Sequence, residues 1–240
     1  MNIQSVTKPL RRMLKIKRCG AVIVAAGSAS RMGGVDKIMA QLNGEPVIVH
    51  SVRAFQECPA IAEIVVVTTP DKVQTIAQLC SGFDKLIAVV TGGKSRPESV
   101  SNGLDALTKK MRLAAIHDGA RPMVSWELID RTVRAANTYG AAAPGIPVKD
   151  TIKIVSGGLV ESTPDRAALQ AIQTPQVVDI DLLRGALKKA EEDGVQITDD
   201  CSAVEHMGMT VKIVQGDERN LKITTPMDLK MAQMLLEDEI

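Results

Sequence analysis

The stretch Val22-Ile23-Val24-Ala25-Ala26-Gly27-Ser28-Ala29-Ser30-Arg31-Met32-Gly33-Gly34-Val35-Asp36-Lys37 decides how the rest of the chain is read. Its apolar, β-branched start predicts a buried strand over 21–25, followed by a long glycine- and serine-containing loop over 26–37. Small side chains let the main chain approach a ligand, and successive amides can cradle phosphate oxygens. Arg31 offers a two-pronged fork for a phosphate and Lys37 a mobile point charge. The loop has neither the Gly-x-Gly-x-x-Gly spacing of dinucleotide folds nor the Ser or Thr that follows a Walker lysine. The alternative reading is a glycine-rich turn with two solvated cations. By itself the loop names no reaction.

Outward from it, apolar runs alternate with helical spacing. Helices are predicted over 46–56, 71–79 and 99–110, with strands over 64–68, 86–90 and 113–117 between and after them. Ser125 can cap a helix running to about 138, and 141–144 is a further short strand. Strands separated by helices imply right-handed crossovers and a largely parallel sheet covered on both faces. The rhythm breaks after Pro144, where Gly157-Gly158 separates two short alternating runs and signals a hairpin. A polar hairpin there has little sheet to lie on. It is expected to project as an arm, of the kind that embraces a second subunit. A helix over 179–192, a polar turn over 194–200, a helix over 202–207, a strand over 210–214 and a final helix over 226–236 follow.

Composition narrows the function classes. The 240 residues are 45% hydrophobic and 24% charged, enough for one sizeable core. With 29 basic and 28 acidic residues the net charge is +1, which argues against a whole-surface nucleic-acid or membrane footprint. Lys8, Arg11, Arg12, Lys15, Lys17 and Arg18 stand in a segment without acids, so residues 1–18 form a basic extension on a mildly acidic body. Aromatic residues make up only 2%, too few for a base-stacking surface. Cys19, Cys58, Cys80 and Cys201 have neither disulfide nor zinc spacing and suit a reduced, cytoplasmic compartment. His50, His117 and His206 are too spread for a zinc centre. No apolar run reaches membrane-spanning length.

Asp118 ends the strand over 113–117, at the carboxyl edge where open α/β sheets bind ligands. It lies in His117-Asp118-Gly119-Ala120-Arg121-Pro122, and a carboxylate with an arginine beside a phosphate loop suits nucleotide–metal chemistry. A capping Asp paired with Arg121 is the plainer reading. The loop Thr91-Gly92-Gly93-Lys94-Ser95-Arg96-Pro97-Glu98-Ser99 also follows a strand. It can read a base edge through its backbone and Ser99, or simply open a helix.

Taken jointly, these segments resemble the 2-C-methyl-D-erythritol 4-phosphate cytidylyltransferases of the non-mevalonate isoprenoid pathway. The resemblance spans about residues 19–237. It rests on the Ala25-Ala26-Gly27 loop with its arginine, glycines and lysine, on Gly92-Gly93…Arg96…Ser99, on the His117–Pro122 segment, and on Thr174-Pro175-Gln176. Ile197-Thr198-Asp199-Asp200-Cys201-Ser202-Ala203-Val204-Glu205 and Asn220-Leu221-Lys222-Ile223-Thr224-Thr225-Pro226 complete the set. The first motif marks only nucleotidyltransferases at large; the ordered set is far more specific.

The resemblance implies a Rossmann-like α/β nucleotidyltransferase domain over 19–240, its mostly parallel sheet between helices, with a protruding β-hairpin dimerisation arm at about 147–173. It implies transfer of CMP from CTP to methylerythritol phosphate with loss of pyrophosphate. Arg31, Lys37, Lys222 and Asp118 would be catalytic. Ala25, Ala26, Gly27, Gly92, Gly93 and Ser99 would hold the nucleotide, and Asp118, Arg121, Arg166 and Thr174 the polyol phosphate, Arg166 reaching a neighbour's site. Mg2+ would be held largely through the CTP phosphates, with no dedicated protein metal centre, and the enzyme would be a homodimer without nucleic-acid or membrane partners. This chain departs from the pattern at Ala29 and Ser30, where a glycine and a basic residue are usual, and at Gly119-Ala120, where Ala-Ala is usual. A ribitol 5-phosphate cytidylyltransferase would share the nucleotide motifs, and a non-catalytic nucleotide sensor would share the fold.

Overall fold

The structure, a computed structural model, describes residues 17–27 and 36–237. Arg31, Ala29, Ser30 and most of the basic extension lie outside the described residues. Lys17 and Arg18 of that extension are tied to the domain. The Lys17 ammonium sits 2.8 Å from Asp179, and the Arg18 carbonyl accepts from the Arg112 and Leu113 amides.

While the short strands β2 (Gln41–Leu42) and β3 (Glu45–Pro46) pair with each other and helix α2 (Val73–Leu79) lies further along the chain, strand β1 (Cys19–Val24) runs inside the parallel half of the main sheet. It pairs in parallel with β4 (Ile61–Thr68) on one side and β6 (Leu113–Asp118) on the other, and β4 pairs in parallel with β5 (Leu86–Thr91). β1, β4 and β6 carry apolar runs buried on both faces, as inner parallel strands require, whereas the edge strand β5 is only partly buried. Their register sets Val24 beside Asp118 at the carboxyl edge. Side chains alternate across the sheet. Ala21 and Ile23 pack with Val52 and Phe55 of α1 (Val47–Glu57) and with Ile129 and Val133 of α4 (Trp126–Tyr139). Val22 faces the other way, in a cluster with Val100 and Leu104 of α3 (Arg96–Ala106) and Leu183 of α5 (Ile180–Glu192). Each such Val, Leu, Ile or Phe side chain, fully buried, contributes about 1.5–3 kcal/mol.

Local chemistry sets the helix ends. Ser95 accepts from the Glu98 amide and Pro97 fits the first turn, so α3 starts at 96 rather than at the expected 99. It ends at Ala106, and the Thr108 amide and hydroxyl beyond it both donate to Glu63. Ser125 caps α4 as expected, and Gly140 ends it with φ 87°. At Gly103 the helix presses onto the sheet so closely that a Cβ would lie 2.3 Å from Val22 Cγ1.

The second half departs from the parallel rhythm. β7 (Ala141–Pro147) pairs in parallel with β12 (Lys212–Gln215), and antiparallel with β10 (Gln170–Ile172) and β11 (Gln176–Asp179). β11 also runs antiparallel to β6, joining the two halves into one eight-stranded sheet. The expected hairpin is present as β8 (Ile154–Ser156) and β9 (Leu159–Ser162), a separate two-stranded ribbon with every side chain exposed. Gly157 and Gly158 both take positive φ at its turn, as a two-residue hairpin loop demands. Helix α6 (Asp200–His206) begins in a capping box between Asp199 and Ser202. The last helix, α7 (Pro226–Glu237), packs Ala232 against Leu42 and Ile223. The four cysteines are free and buried, and burial pushes each thiol upward. No described helix is long and apolar enough to cross a membrane.

Candidate active site

A cleft of about 390 Å3 opens at the carboxyl edge of β1, β5 and β6. Its floor is the start of the glycine loop: Ala25 N–H donates to Val67 O at 2.7 Å, continuing the ladder one residue past β1. Opposite lies the turn after β5, where Gly92 N–H donates to Thr68 O at 2.8 Å. Gly92 must be glycine, since a Cβ there would lie 2.6 Å from Ala26 Cβ and 2.9 Å from Ser99 Oγ. Ser99 is buried; its hydroxyl donates to Ser95 O at 2.9 Å and accepts from Gly93 N–H at 3.0 Å. It therefore holds the Gly92-Gly93 turn in shape. Lys37 and Lys222 also line this cleft.

Asp118 is where the charges meet. Lys222 Nζ lies 2.9 Å from Oδ2, Arg121 Nε 3.6 Å from the same oxygen, and an Arg96 nitrogen 4.0 Å from Oδ1. Burial disfavours the carboxylate charge, but these cations more than offset it and hold Asp118 at about 2. Lys222 is delivered by a clamp. Ile223 N–H donates to Ala120 O at 2.8 Å, and the buried Asn220 amide donates to Thr174 O at 2.9 Å. Arg121 in turn donates to Asn220 O at 2.6 Å.

A smaller cavity of about 190 Å3 adjoins the cleft, walled by Arg121, Ile172, Thr174 and Thr198 and sharing Arg96, Asp118 and Lys222 with it. One hydrogen-bond chain fixes its polarity. His117 Nε2 lies 3.1 Å from Arg121 O, which can only accept, so this nitrogen carries the proton. Burial keeps the ring neutral by pushing its pKa down to about 4. His117 Nδ1 is then an acceptor, so the Thr174 hydroxyl donates to it at 3.0 Å while accepting from Asp118 N–H at 3.1 Å. The hydroxyl has spent its proton and keeps one lone pair.

Of the residues expected at the site, Ala25, Ala26, Gly27, Lys37, Gly93, Ser99, Asp118 and Lys222 line the cleft. Gly92 packs directly behind it, and Arg121 and Thr174 line the adjoining cavity. Arg166 stands apart, on a 3-10 turn after the hairpin, exposed and donating to Lys149 O at 3.0 Å. Sequence reasoning assigned no part to Arg96, Asp200 or Asn220. Their only signal was membership of quoted motifs, because burial cannot be read from a lone charged or amide residue. Among the described residues no three His, Cys, Asp or Glu side chains group as a metal centre. Asp118 is the carboxylate in the cleft, with Oδ2 taken by two cations and Oδ1 less committed.

The family model described as 2-C-methyl-D-erythritol 4-phosphate cytidylyltransferase matches residues 19–238. A relative of that name from Caldanaerobacter subterraneus subsp. tengcongensis is 45% identical over 221 residues, covering 90% of this chain and 97% of its own. The crystal structure of 4-diphosphocytidyl-2C-methyl-D-erythritol synthase from Anaerococcus prevotii superposes with a TM-score of 0.85 at 31% identity, covering 93% of this chain and all of that one. The cytidylyltransferase from Thermus thermophilus gives 0.74 at 31% identity, over 90% of this chain and 98% of its own. With the match running through every element that builds the cleft, the chain belongs to the 2-C-methyl-D-erythritol 4-phosphate cytidylyltransferase family.

Proposed function

We propose that the protein transfers CMP from CTP to the phosphate of 2-C-methyl-D-erythritol 4-phosphate. An acceptor phosphate oxygen bonds to the α-phosphorus of CTP, the bond to the bridging oxygen breaks, and pyrophosphate leaves with the electron pair. The observation that carries this reading is the pair of adjoining cavities sharing Arg96, Asp118 and Lys222 at one wall. Two anions can be seated there with cations between them. The acceptor oxygen is already ionised at neutral pH, so no strong base is needed; the obstacle is repulsion between phosphates. Fixed cations and in-line placement oppose it.

Lys222, with Arg31 and Lys37 from the glycine loop, neutralises charge gathering on the triphosphate. The backbone of Ala25, Ala26, Gly27 and Gly93 faces the nucleoside, with Gly92 packed behind that wall and Ser99 keeping the turn in register. Thr174, whose hydroxyl hydrogen is engaged by His117 Nδ1, accepts from a polyol hydroxyl. Arg121 completes the acceptor pocket. Mg2+ favours oxygen ligands and usually binds through one or two carboxylates plus substrate phosphates. Asp118 Oδ1 fits as the single protein oxygen for an ion held otherwise by CTP, and that ion would supply further neutralisation of phosphate charge.

The exposed arm, with Ile154, Val155, Leu159 and Val160 open to solvent, supports a homodimer in which Arg166 serves the neighbouring subunit. The relatives carry the methylerythritol name, and nothing favours ribitol phosphate. The test is pyrophosphate release from CTP and Mg2+ with methylerythritol phosphate or ribitol 5-phosphate. Methylerythritol phosphate should be strongly preferred, and equal rates with ATP or UTP would contradict the base assignment.

A further inference from the structure

Arg96 faces two ways. It lines the nucleotide cleft and the adjoining acceptor cavity, at the partition between them. One guanidinium nitrogen lies 2.7 Å from Asp200 Oδ2 and 4.0 Å from Asp118 Oδ1. Asp200 is 1% exposed, and its other oxygen has no hydrogen-bond partner. Its backbone is pinned to β11 by one side chain, since Gln176 donates to Asp199 at 2.7 Å and accepts from Cys201 N–H at 3.0 Å. The Asp200 carboxylate is thus a fixed post.

A buried ion pair of this kind adds little to stability on balance, because desolvation consumes most of the attraction. Its effect here is geometric. Without Asp200, the guanidinium's nearest anion is Asp118, which already carries Lys222 and Arg121. Arg96 would swing off the partition and cover Oδ1, the oxygen that remains less committed.

We propose that Asp200 is a positioning residue that keeps Arg96 on the partition, where this one cation couples the binding of the triphosphate to that of the acceptor phosphate. Two phosphates brought close together repel, so each would expel the other; a shared cation held between them offsets this. Coupling of this sort is reciprocal between the two ligands. The proposal rests on the two-cavity reading given above and adds a role for Asp200, which lines neither cavity.

The test is calorimetric titration of the full chain with α,β-methylene-CTP and Mg2+, with and without saturating methylerythritol phosphate, and the converse titration. In Asp200→Asn the nucleotide Kd should rise on adding the acceptor by about tenfold more than in the unsubstituted protein, while the Kd of either ligand alone shifts less than about threefold. Arg96→Lys, which keeps the charge but loses the fork, should show the same uncoupling. Either variant, folded by circular dichroism, with coupling unchanged overturns the proposal; if Asp200→Asn does not fold, Arg96→Lys decides. Pyrophosphate release is measured in parallel on the unsubstituted protein. No release there sinks the proposed reaction, whereas normal release with coupling intact in the variants sinks only the role of Asp200.

Discussion

Lys222 reaches Asp118 at 2.9 Å although the two enter the site from different halves of the domain, one after the antiparallel strands and one at the end of β6. The pair is the seam where both halves contribute charge to one spot. Asp118 keeps Lys222 from wandering into solvent until a phosphate competes for it.

Lys222→Met should therefore depress kcat/KM by about a hundredfold, corresponding to about 3 kcal/mol for loss of one transition-state donor. The Lys222 side chain is 39% exposed, so global stability should change by less than about 1 kcal/mol. Steady-state pyrophosphate release and urea unfolding separate the two effects.

Gly92→Ala should injure the nucleotide side selectively. The added methyl meets Ala26 Cβ at 2.6 Å and must push the two walls of the cleft apart. Overpacking of this kind costs about 1–3 kcal/mol, so the KM for CTP should rise about tenfold or more. The KM for the polyol phosphate should move much less, and an equal rise in both would contradict the assignment of this wall.

His117 predicts an acid-side loss of stability. Its folded value of about 4 lies below the ordinary histidine value of 6.5, so between these pH values the unfolded chain binds a proton that the folded chain refuses. Stability then falls as pH drops from about 6.5 to 4, by about 3 kcal/mol from this residue. Asp118 acts in a lower window: its carboxyl is depressed to about 2, so its contribution is present above the ordinary carboxylate range and disappears as pH falls toward 2. Denaturant unfolding across pH 4–7 should show a flatter slope in His117→Gln than in the unsubstituted protein.

Leu159→Asp combined with Val160→Asp should leave the fold intact, because these side chains are 76% and 60% exposed and belong to none of the buried core clusters. If the arm holds a second copy, sedimentation should show a monomer, and activity should fall with it through loss of Arg166 from the neighbouring site. An unchanged dimer would remove the arm from the interface.

The parallel half of the sheet was legible because each strand carries a short apolar run followed by a polar or glycine-containing loop. β10 and β11 were not. Gln170–Ile172 and Gln176–Asp179 are short and each begins on a glutamine, and only their place beside β6 and β7 makes them strands. At the site, loop glycines and Asp118 could be placed by position along the sheet edge, whereas Thr174, Lys222 and Arg166 came only through family resemblance. Arg96 reads in isolation as part of a plain helix entry, and Asp200 as the end of a polar turn. What distinguishes them is burial and mutual contact, which depend on helices far apart in the chain.

Gly103 has a consequence beyond packing. It is the fulcrum on which α3 rests against Val22, and Arg96 lies at the helix tip seven residues away. At 1.5 Å per residue that is a lever arm of about 10 Å, so a tilt of about 6° shifts the tip by about 1 Å. Misplacement on that scale can cost about a hundredfold in rate. The gauge that aligns the charged end of α3 is thus an absent side chain two turns away, in a place no substrate ever touches.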